Sequence, residues 1–385
     1  MKVVGLFAGV GGFELGLARS GHEAVLFCEN WAPARAVLQA RFPDVPNHPD
    51  VRDLIDLPES AELLCAGFPC QDLSQAGKTV GIDGARSGLV RRVFKLLERR
   101  RIPWVVLENV SFMLHLDGGR ALDRLVTALE ELGYRWAYRK VNSLGFLPQR
   151  RERIFLVASL LADPADVLFV DEAEPPEVVT SLDTHAHGFY WTEGTRGLGW
   201  APDAVPTLKN GSTVGIASPP AILLPTGAVI TPDIRDAEAL QGFPSDWTKP
   251  AESVGRSSLR WSLVGNAVTV PVAEWIGRRL ASPGRYDRER DRQRQEVEKW
   301  PLAARYDGVR RYNVNVSTIP LWRERPPLHK FLTHDGKPLS VRATRGFLRR
   351  ADASSLRFMP DFKERVRAHM SRIELAHAPC GCLAA

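Results

Sequence analysis

Residues 2–21 of the 385-residue chain, KVVGLFAGVGGFELGLARSG, decide its fold. A short apolar run of strand type leads into the glycine-rich turn AGVGG, and FELGLARSG follows with helical spacing and a glycine stop. The next segment, EAVLFCEN at 23–30, is a second buried-strand pattern that ends in an acid and an asparagine. A strand, a glycine turn and a helix in this order are typical of nucleotide-binding α/β sheets. A purely structural tight turn is the alternative.

The spacing inside this unit indicates which ligand the turn would hold. Glycines allow the backbone to approach a ligand closely, and the start of a helix favours polar or anionic groups. Glu29 lies 20 residues beyond Gly9, where an acid typically binds a pair of ribose hydroxyls. A nicotinamide fingerprint would have a third glycine in place of Glu14. The turn therefore predicts an adenosine-containing cofactor and disfavours a nicotinamide dehydrogenase.

The alternation of strands and helices continues to about residue 160. Strand patterns recur at ELLCAGFP, WVVLENV and RIFLVAS with helical patterns between them, which predicts a doubly wound α/β sheet. Residues 163–235 are rich in Pro, Gly and Thr and indicate loops with short β segments. Helical patterns return at 235–243 and 269–280. The charged run 286–300 predicts a helical linker or the first helix of a separate C-terminal unit.

The composition excludes several classes of protein. Apolar residues make up 44% and charged residues 25% of the chain, which is ordinary for a globular protein of two or three domains. No apolar stretch approaches the roughly 18 residues of a transmembrane helix, and glycines interrupt the N-terminus too early for a signal peptide. The 5 cysteines do not make a disulfide framework in a chain of this length, which favours the reducing cytoplasm.

Positive charge is concentrated at the C-terminus. Residues 285–385 contain 22 Lys and Arg against 12 Asp and Glu, a net charge of +10, whereas the preceding 284 residues contain 29 against 33, a net charge of −4. A basic segment on a mildly acidic body indicates a polyanionic partner, and we expect this segment to clamp that partner through phosphate contacts. The alternatives are a solvated arginine-rich surface and packing against the body or a partner protein.

Three further motifs at strand ends offer reactive groups. Cys70 ends the segment GFPC at the carboxyl end of a strand, which is the functional edge of an open α/β sheet. Glu108 lies at the end of WVVLENV and offers a proton donor or anchor beside a nucleophile. Arg151 and Arg153 share one face of the extended segment QRRER and suit phosphate or carbonyl recognition. Taken singly, an inert core cysteine, a helix-capping acid and an exposed charged edge are the alternatives.

Together, in this order and spacing, the four motifs resemble those of the DNA (cytosine-5) methyltransferase family. The resemblance continues with LQGFP at 240–244 and GNAV at 265–268, and it spans roughly residues 3–280. It implies a Rossmann-like S-adenosylmethionine-dependent methyltransferase sheet with a small irregular recognition domain. By similarity, Glu29 would hold the ribose hydroxyls and Asp53 the adenine amine. The cofactor pocket implied by the family comprises Phe7, Ala8, Gly9, Gly11, Gly12, Glu29, Asn30, Asp53, Leu54, Pro69, Leu89, Asn266 and Val268.

The resemblance also implies a mechanism. Carbon 5 of cytosine is too electron-poor to attack a methyl sulfonium, so the Cys70 thiolate would first add to carbon 6. Glu108 would bind the ring at N3 and the exocyclic amine. Arg151 and Arg153 would orient Glu108 and the base carbonyl. Because a stacked base cannot be reached, the target cytosine must be flipped out of the duplex.

Two positions depart from the family pattern. The family commonly has Asp where this chain has Gly5, and often Arg where it has Ala239; both positions bear on cofactor affinity and packing rather than on the chemistry. The segment between the arginine motif and LQGFP, from about 163 to 234, recognises DNA in this family. The implied organisation is a catalytic domain at 1–162 and 254–284, a target recognition region at 163–253 and a basic C-terminal extension of unknown fold at 285–385.

The implied partner is double-stranded DNA, in restriction-modification or phage defence, with a separately encoded cognate restriction endonuclease as a further candidate. We expect a monomer without a membrane anchor, in the cytoplasm and at the nucleoid if the source is prokaryotic. We expect no metal, because His377, Cys380 and Cys382 offer three candidate ligands at a frayed end. A tRNA cytosine-5 methyltransferase and a non-catalytic DNA-binding relative are the alternatives; the intact catalytic set disfavours the second.

Overall fold

The computed structural model of the chain describes residues 1–68, 88–177, 180–195, 197–211, 217–295 and 298–377. The strands, in chain order, are β1 (Lys2–Leu6), β2 (Glu23–Cys28), β3 (Asn47–His48), β4 (Leu63–Ala66), β5 (Trp104–Val110), β6 (Arg135–Asn142), β7 (Gln149–Arg150), β8 (Glu152–Ser159), β9 (His187–Phe189), β10 (Trp200–Pro202), β11 (Val205–Pro206), β12 (Ala221–Leu223), β13 (Val229–Thr231), β14 (Asp291–Gln293), β15 (Ala303–Tyr306), β16 (Arg311–Val314) and β17 (Lys337–Pro338). The α-helices are α1 (Gly12–Ala18), α2 (Ala32–Arg41), α3 (Gly88–Arg99), α4 (Arg120–Glu131), α5 (Ala165–Leu168), α6 (Ile234–Ala239), α7 (Leu259–Asn266), α8 (Val270–Ala281), α9 (Leu328–Phe331), α10 (Val341–Asp352) and α11 (Phe362–His377).

The central sheet has the strand order β14-β16-β15-β6-β8-β5-β4-β1-β2-β3. Its β3, β2, β1, β4 and β5 strands are parallel, and the strands beyond β5 pair antiparallel. Side chains of β1 alternate between two cores: Val4 packs with α3 and α4 on one face, whereas Val3 packs with α1 and α8 on the other. Helices on both faces bury β5 along nearly its whole length, which is why WVVLENV is continuously apolar before its acid. The predicted doubly wound sheet is confirmed.

The strand order reverses at β1, which has β2 on one side and β4 on the other. In an open parallel sheet, the loops that leave the carboxyl ends of such neighbours diverge and open a crevice. The glycine turn, Glu29 and the ENV motif all follow strands at this edge. The fold therefore places two of the four sequence motifs, the glycine turn with its acid Glu29 and the ENV motif, around one crevice.

A second, antiparallel sheet with the order β10-β9-β12-β13-β17 lies in the recognition region. Its core is aromatic: the Phe189 ring lies 4.5 Å from the Phe347 ring and 5.4 Å from the Phe362 ring, measured between centroids. Phe347 and Phe362 belong to α10 and α11, so the C-terminal helices cover this sheet. The short parallel pair of β7 and β11 joins the recognition region to the arginine motif.

The prediction of a helix over 286–300 is wrong. Residues Arg288–Arg290 form one 3₁₀ turn, and β14 follows as the outer strand of the central sheet. The predicted separate C-terminal unit is also wrong, because β15 pairs with β6 and β17 pairs with β13. The reason in both cases is tertiary. The charged side chains favour a helix locally, but the backbone of the extension pairs with strands of both sheets.

Candidate active site

The glycine turn after β1 holds a carboxylate from the neighbouring strand. Phe7, Gly9 and Gly11 all have positive φ values, of 54°, 57° and 81°. A Cβ atom on Gly11 would lie 2.8 Å from the Phe42 ring, so the turn needs glycine there. The Gly9 N–H donates to Oε2 of Glu29 at 2.8 Å. Because the Trp31 N–H donates to Oε1 of the same carboxylate at 2.8 Å, backbone donors from two loops fix Glu29.

A cavity of about 600 Å³ opens at the carboxyl ends of β1, β2, β4 and β5. This volume lies in the ordinary range for small-molecule sites. Glu29 and the glycine turn lie at one end, and Glu108, Arg151 and Arg153 lie at the other. The lining consists of Phe7, Gly9, Val10, Glu29, Asn30, Trp31, Gly67, Phe68, Glu108, Asn109, Val110, Arg151, Arg153, Asn210, Leu263, Gly265, Asn266 and Ala267.

Glu108 is a buried carboxyl group at the end of β5. Its side chain is 11% exposed, and Nε of Arg153 lies 3.0 Å from its Oε1. The two groups form an ion pair. Among the described residues, no donor has the geometry of a hydrogen bond to Oε1. Burial raises the pKa of Glu108, and the charges of Arg153 and Arg151 oppose that rise. A buried acid with a free oxygen can bind a polar ligand group and exchange a proton with it.

Arg151 has a different role from its neighbour Arg153. It is 1% exposed and donates to three backbone carbonyls, those of Leu208 at 3.1 Å, Gly265 at 3.2 Å and Ala267 at 2.9 Å. Burial, followed by the nearby Arg153, lowers its pKa. Arg151 therefore ties the recognition region, through Leu208, to the loop that ends α7.

Buried glutamines connect the same elements. Gln149 Nε2 donates to the Leu240 carbonyl at 2.7 Å, and Gln149 Oε1 accepts the Leu208 N–H at 3.0 Å. Gln241 Nε2 donates to the Val264 carbonyl at 2.9 Å. The motifs QRRER, LQGFP and GNAV thus meet in one hydrogen-bonded network beneath the cavity, which explains why residues far apart in sequence belong to one site.

The structure brings together part of the predicted site. The predicted residues that line the cavity are Phe7, Gly9, Glu29, Asn30, Glu108, Arg151, Arg153 and Asn266. Pro69 and Cys70 lie outside the described residues. Predicted residues that fall outside the lining formed by the described chain are Ala8, Gly11, Gly12, Asp53, Leu54, Leu89 and Val268. Leu54 and Leu89 instead pack in the core beside β4, and the Asp53 side chain is exposed.

Some lining residues were not predicted. Asn109 follows Glu108 directly, and its Nδ2 donates to the Phe68 carbonyl at 3.1 Å, which joins the ends of β5 and β4. Its place in the ENV motif was a usable signal. Asn210 comes from the recognition region, and its carbonyl accepts the Ser262 hydroxyl at 2.5 Å. No local pattern marks Asn210, because only the tertiary fold brings its loop to the cavity.

A second buried carboxyl group lies on α1, directly after the glycine turn. Glu14, on α1, is 3% exposed, and its Oε1 lies 3.5 Å from the Cys65 thiol, which donates to it. Its Oε2 has no hydrogen-bond partner among the described residues. A Cβ atom at Gly5 would collide with this carboxylate. The glycine that departs from the family pattern therefore makes room for Glu14, and burial raises the pKa of Glu14 to about 7.

The described residues contain neither a cluster of metal ligands nor a membrane-spanning helix. Within the described ranges, no three His, Cys, Asp or Glu side chains are grouped so that they could hold a metal ion. Cys380 and Cys382 lie outside those ranges. No helix in the part of the chain that the structure describes is long and apolar enough to span a membrane.

Comparison with known proteins identifies the family. The sequence model for C-5 cytosine-specific DNA methylase matches residues 1–184. The chain is 50% identical over 366 residues to the type II methyltransferase M2.BsuMI of Bacillus subtilis, an alignment that covers 91% of this chain and 93% of that protein. It is 30% identical to the type II methyltransferase M.NgoBI of Neisseria gonorrhoeae, covering 71% of this chain and 90% of the relative.

A solved structure supports the fold. The Dnmt2 methyltransferase of S. pombe superimposes with a TM-score of 0.51 at 16% identity, and the match covers 72% of this chain and 97% of that protein. At this identity the likeness concerns the fold alone. Sequence identity over nearly the whole length of M2.BsuMI, the matched family model and the shared sheet agree. The chain belongs to the C-5 cytosine-specific DNA methylases.

Proposed function

We propose that Glu108, Arg153 and Cys70 perform the reaction of this family on a cytosine within a specific duplex sequence. As a C-5 cytosine-specific DNA methylase, the chain transfers a methyl group from S-adenosylmethionine to carbon 5 of cytosine in DNA. The observation that carries the assignment is that the Glu108 carboxyl, paired with Arg153, shares one cavity with the glycine turn and Glu29.

The residues at the first end of the cavity suit S-adenosylmethionine. Glu29 is held by two backbone donors, and each carboxylate oxygen keeps a lone pair for a ribose hydroxyl. A Cβ atom at Gly9 would meet nothing within 4 Å, so the turn leaves open space above its backbone. Phe7, Asn30 and Asn266 would complete the holding set. When bound, the cofactor supplies an electrophilic methyl group on a sulfonium centre.

The residues at the second end suit a cytosine ring. A neutral Glu108 can donate its proton to N3, and its other oxygen can accept a hydrogen bond from the exocyclic amine. The raised pKa of Glu108 favours this neutral form. Arg153, beside it, can donate to the O2 carbonyl of the base. Together they would stabilise the electron density that the ring gains when a nucleophile adds to carbon 6.

Cys70 is the proposed nucleophile, assigned from the GFPC motif. Its thiolate forms a bond to carbon 6, and the displaced electron pair makes carbon 5 nucleophilic enough to accept the methyl group. N3 then returns its proton to Glu108, a base removes the proton from carbon 5, the carbon 5–carbon 6 double bond re-forms, and the sulfur–carbon bond breaks. The thiolate is thereby regenerated. Closing the cavity around a flipped base would exclude water from these steps.

Bisulfite sequencing tests the proposal and reveals the target together. Genomic DNA from a methylation-deficient host that expresses the wild-type chain should show 5-methylcytosine at one recurrent sequence. The variants Cys70→Ala and Glu108→Gln should leave that sequence unmethylated. RNA from the same cells is the control for the tRNA alternative and should remain unmodified. Methylation that persists in Cys70→Ala, or appears in RNA alone, would refute the proposal.

The relatives suggest a biological setting. M2.BsuMI and M.NgoBI carry the name type II methyltransferase. We therefore propose that this chain protects double-stranded DNA against a separately encoded restriction endonuclease, and that it acts as a monomer in the cytoplasm, at the nucleoid if the source is prokaryotic. Restriction of unmodified phage in cells that carry the neighbouring genes would test the setting.

A further inference from the structure

Arginines of the extension form ion pairs with aspartates of the same molecule. Arg305 is 2% exposed and pairs with Asp163 at 2.9 Å and with Asp291 at 3.1 Å. Arg311 pairs with Asp123 of α4 at 2.6 Å. These aspartates neutralise arginines that a phosphate clamp would need. The contacts favour the alternative in which the extension packs against the body, and they raise the question of what that packing achieves.

One stretch of the extension crosses from the central sheet to the recognition sheet. We call residues 317–334 the bridging segment. The Arg323 N–H donates to the Gly145 carbonyl at 2.8 Å, close to the end of β6. At the other end, the His334 N–H donates to Oδ2 of Asp236 at 3.1 Å, on α6. The segment is therefore anchored on both sides of the junction between the two sheets.

The middle of the bridging segment is held by Asp203. This residue forms the turn between β10 and β11 and has a φ of 44°, a conformation that Asp, Asn and Gly adopt more readily than other residues. Its Oδ1 accepts the Leu328 N–H at 2.7 Å, and its Oδ2 lies 3.4 Å from NH1 of Arg325. The Leu328 side chain is fully buried in a cluster with Val205 and Leu208.

The same turn leads directly to the arginine motif. Val205 of β11 pairs with Gln149 of β7, and the Val205 N–H donates to the Pro148 carbonyl at 2.9 Å. Three residues after Val205, the Leu208 carbonyl accepts the hydrogen bond from Arg151. A displacement of the Asp203 turn would therefore be transmitted through β11 and β7 to the segment that carries both arginines.

We propose that Asp203 is a positioning residue for methyl transfer. By fixing the bridging segment to the β10–β11 turn, it keeps β11 paired with β7 and so aims Arg153 at Glu108. The extension then acts as a brace that holds the recognition region and the base-binding arginine in register. This proposal rests on the proposed function of Arg153 and Glu108.

Two variants separate the side-chain bond from the backbone conformation. Asp203→Gly keeps the positive φ without strain but removes the acceptor for Leu328, whereas Asp203→Asn keeps both the φ and an acceptor oxygen. Asp203→Gly should lower kcat on unmethylated bacteriophage DNA by about tenfold to a hundredfold, since small misplacements of reacting groups have costs of that order. Its Kd for S-adenosylhomocysteine should stay unchanged. Asp203→Asn should restore kcat.

Asp183→Gly is the matched control. Asp183 also pairs with an extension arginine, Arg365, at 2.5 Å, but its side chain is 75% exposed. This variant should retain wild-type kcat. If Asp203→Gly does not fold, Leu328→Val tests the same joint from the extension side and should lower kcat with cofactor affinity intact.

The outcomes decide the proposal. A folded Asp203→Gly or Leu328→Val protein with wild-type kcat would overturn it, and so would an Asp203→Asn protein as slow as Asp203→Gly. Failure of the proposed function is recognised separately, because Glu108→Gln would then remain active whatever the Asp203 variants do.

Discussion

Replacing Glu14 with Gln should remove a pH-dependent loss of stability. Glu14 is enclosed between Gly5 and Cys65 with one oxygen unpartnered, and burial raises its pKa from the ordinary 4.5 to about 7. The acid ionises in the unfolded chain before it does so in the folded one. The folded state therefore becomes relatively less stable as the pH rises from 4.5 to about 7, and the loss is complete above the folded pKa.

The size of the effect follows from the two pKa values. A difference between 4.5 and about 7, at about 1.4 kcal/mol per pH unit, corresponds to about 3 kcal/mol at alkaline pH. Most of this, about 2 to 3 kcal/mol, develops between about pH 5 and pH 8. Gln has nearly the same shape as protonated Glu and cannot ionise. Glu14→Gln should therefore resemble the wild type at pH 5 and exceed its stability at pH 8.

Urea unfolding at a series of pH values measures this difference. The free energy of unfolding of Glu14→Gln minus that of the wild type should rise by about 2 to 3 kcal/mol from about pH 5 to pH 8. Glu131→Gln, the same change at an exposed position of α4, is the control and should give a constant difference. A pH-independent gap for Glu14→Gln would show that Glu14 is ionised or solvated in the folded protein and would refute the reasoning.

Four further outcomes are expected. Cys70→Ala should reduce methyl transfer below detection while the Kd for S-adenosylhomocysteine stays within about twofold, and it should fail to form the covalent complex that 5-fluorocytosine DNA traps on the wild type; a trapped complex in the variant would assign the nucleophile elsewhere. Glu108→Gln should lower kcat by about 10²-fold or more with DNA binding retained. The wild-type kcat should fall as the pH rises through the raised pKa of Glu108, because the neutral form is the proton donor, so a flat wild-type profile would contradict that role. Truncation after Gly284 should abolish cooperative thermal unfolding, since it uncovers the buried Trp136 and Tyr138 side chains on β6; a truncated chain with a sharp transition would show that the added strands are dispensable.

Local sequence patterns were sufficient to predict the half of the fold in which we propose that the cofactor binds. The strands and helices up to residue 160 follow the apolar periodicity, and the central strands β1, β4 and β5 are buried on both faces. Glu29 and Glu108 could be predicted as site residues for a related reason. Each ends a buried strand at the carboxyl edge, where a polar residue has nothing to pack against except a ligand or a loop.

The remaining structure depends on contacts between distant segments. The strands of the recognition sheet are as short as two residues, too short for a periodic signal. Asn210 enters the cavity only because its loop packs on the end of α7, where a Cβ atom at Gly265 would clash with the Lys209 backbone. Arg151 and Arg153 look equivalent in the sequence. The fold separates them by giving one three carbonyl acceptors and the other a carboxylate.

The charge of the extension shows why a charge count alone does not identify what a segment binds. A surplus of arginines on one segment and of carboxylates on another is the pattern of a nucleic-acid clamp, and equally that of two surfaces that pack together. Arg305 follows the second pattern. Its guanidinium is 2% exposed and needs both Asp163 and Asp291 to offset its desolvation. An arginine committed in this way cannot release counterions from DNA. A charge count does not contain burial or strand register. These two properties therefore determine which arginines of such a segment pair with carboxylates of the protein and which can reach a bound polyanion.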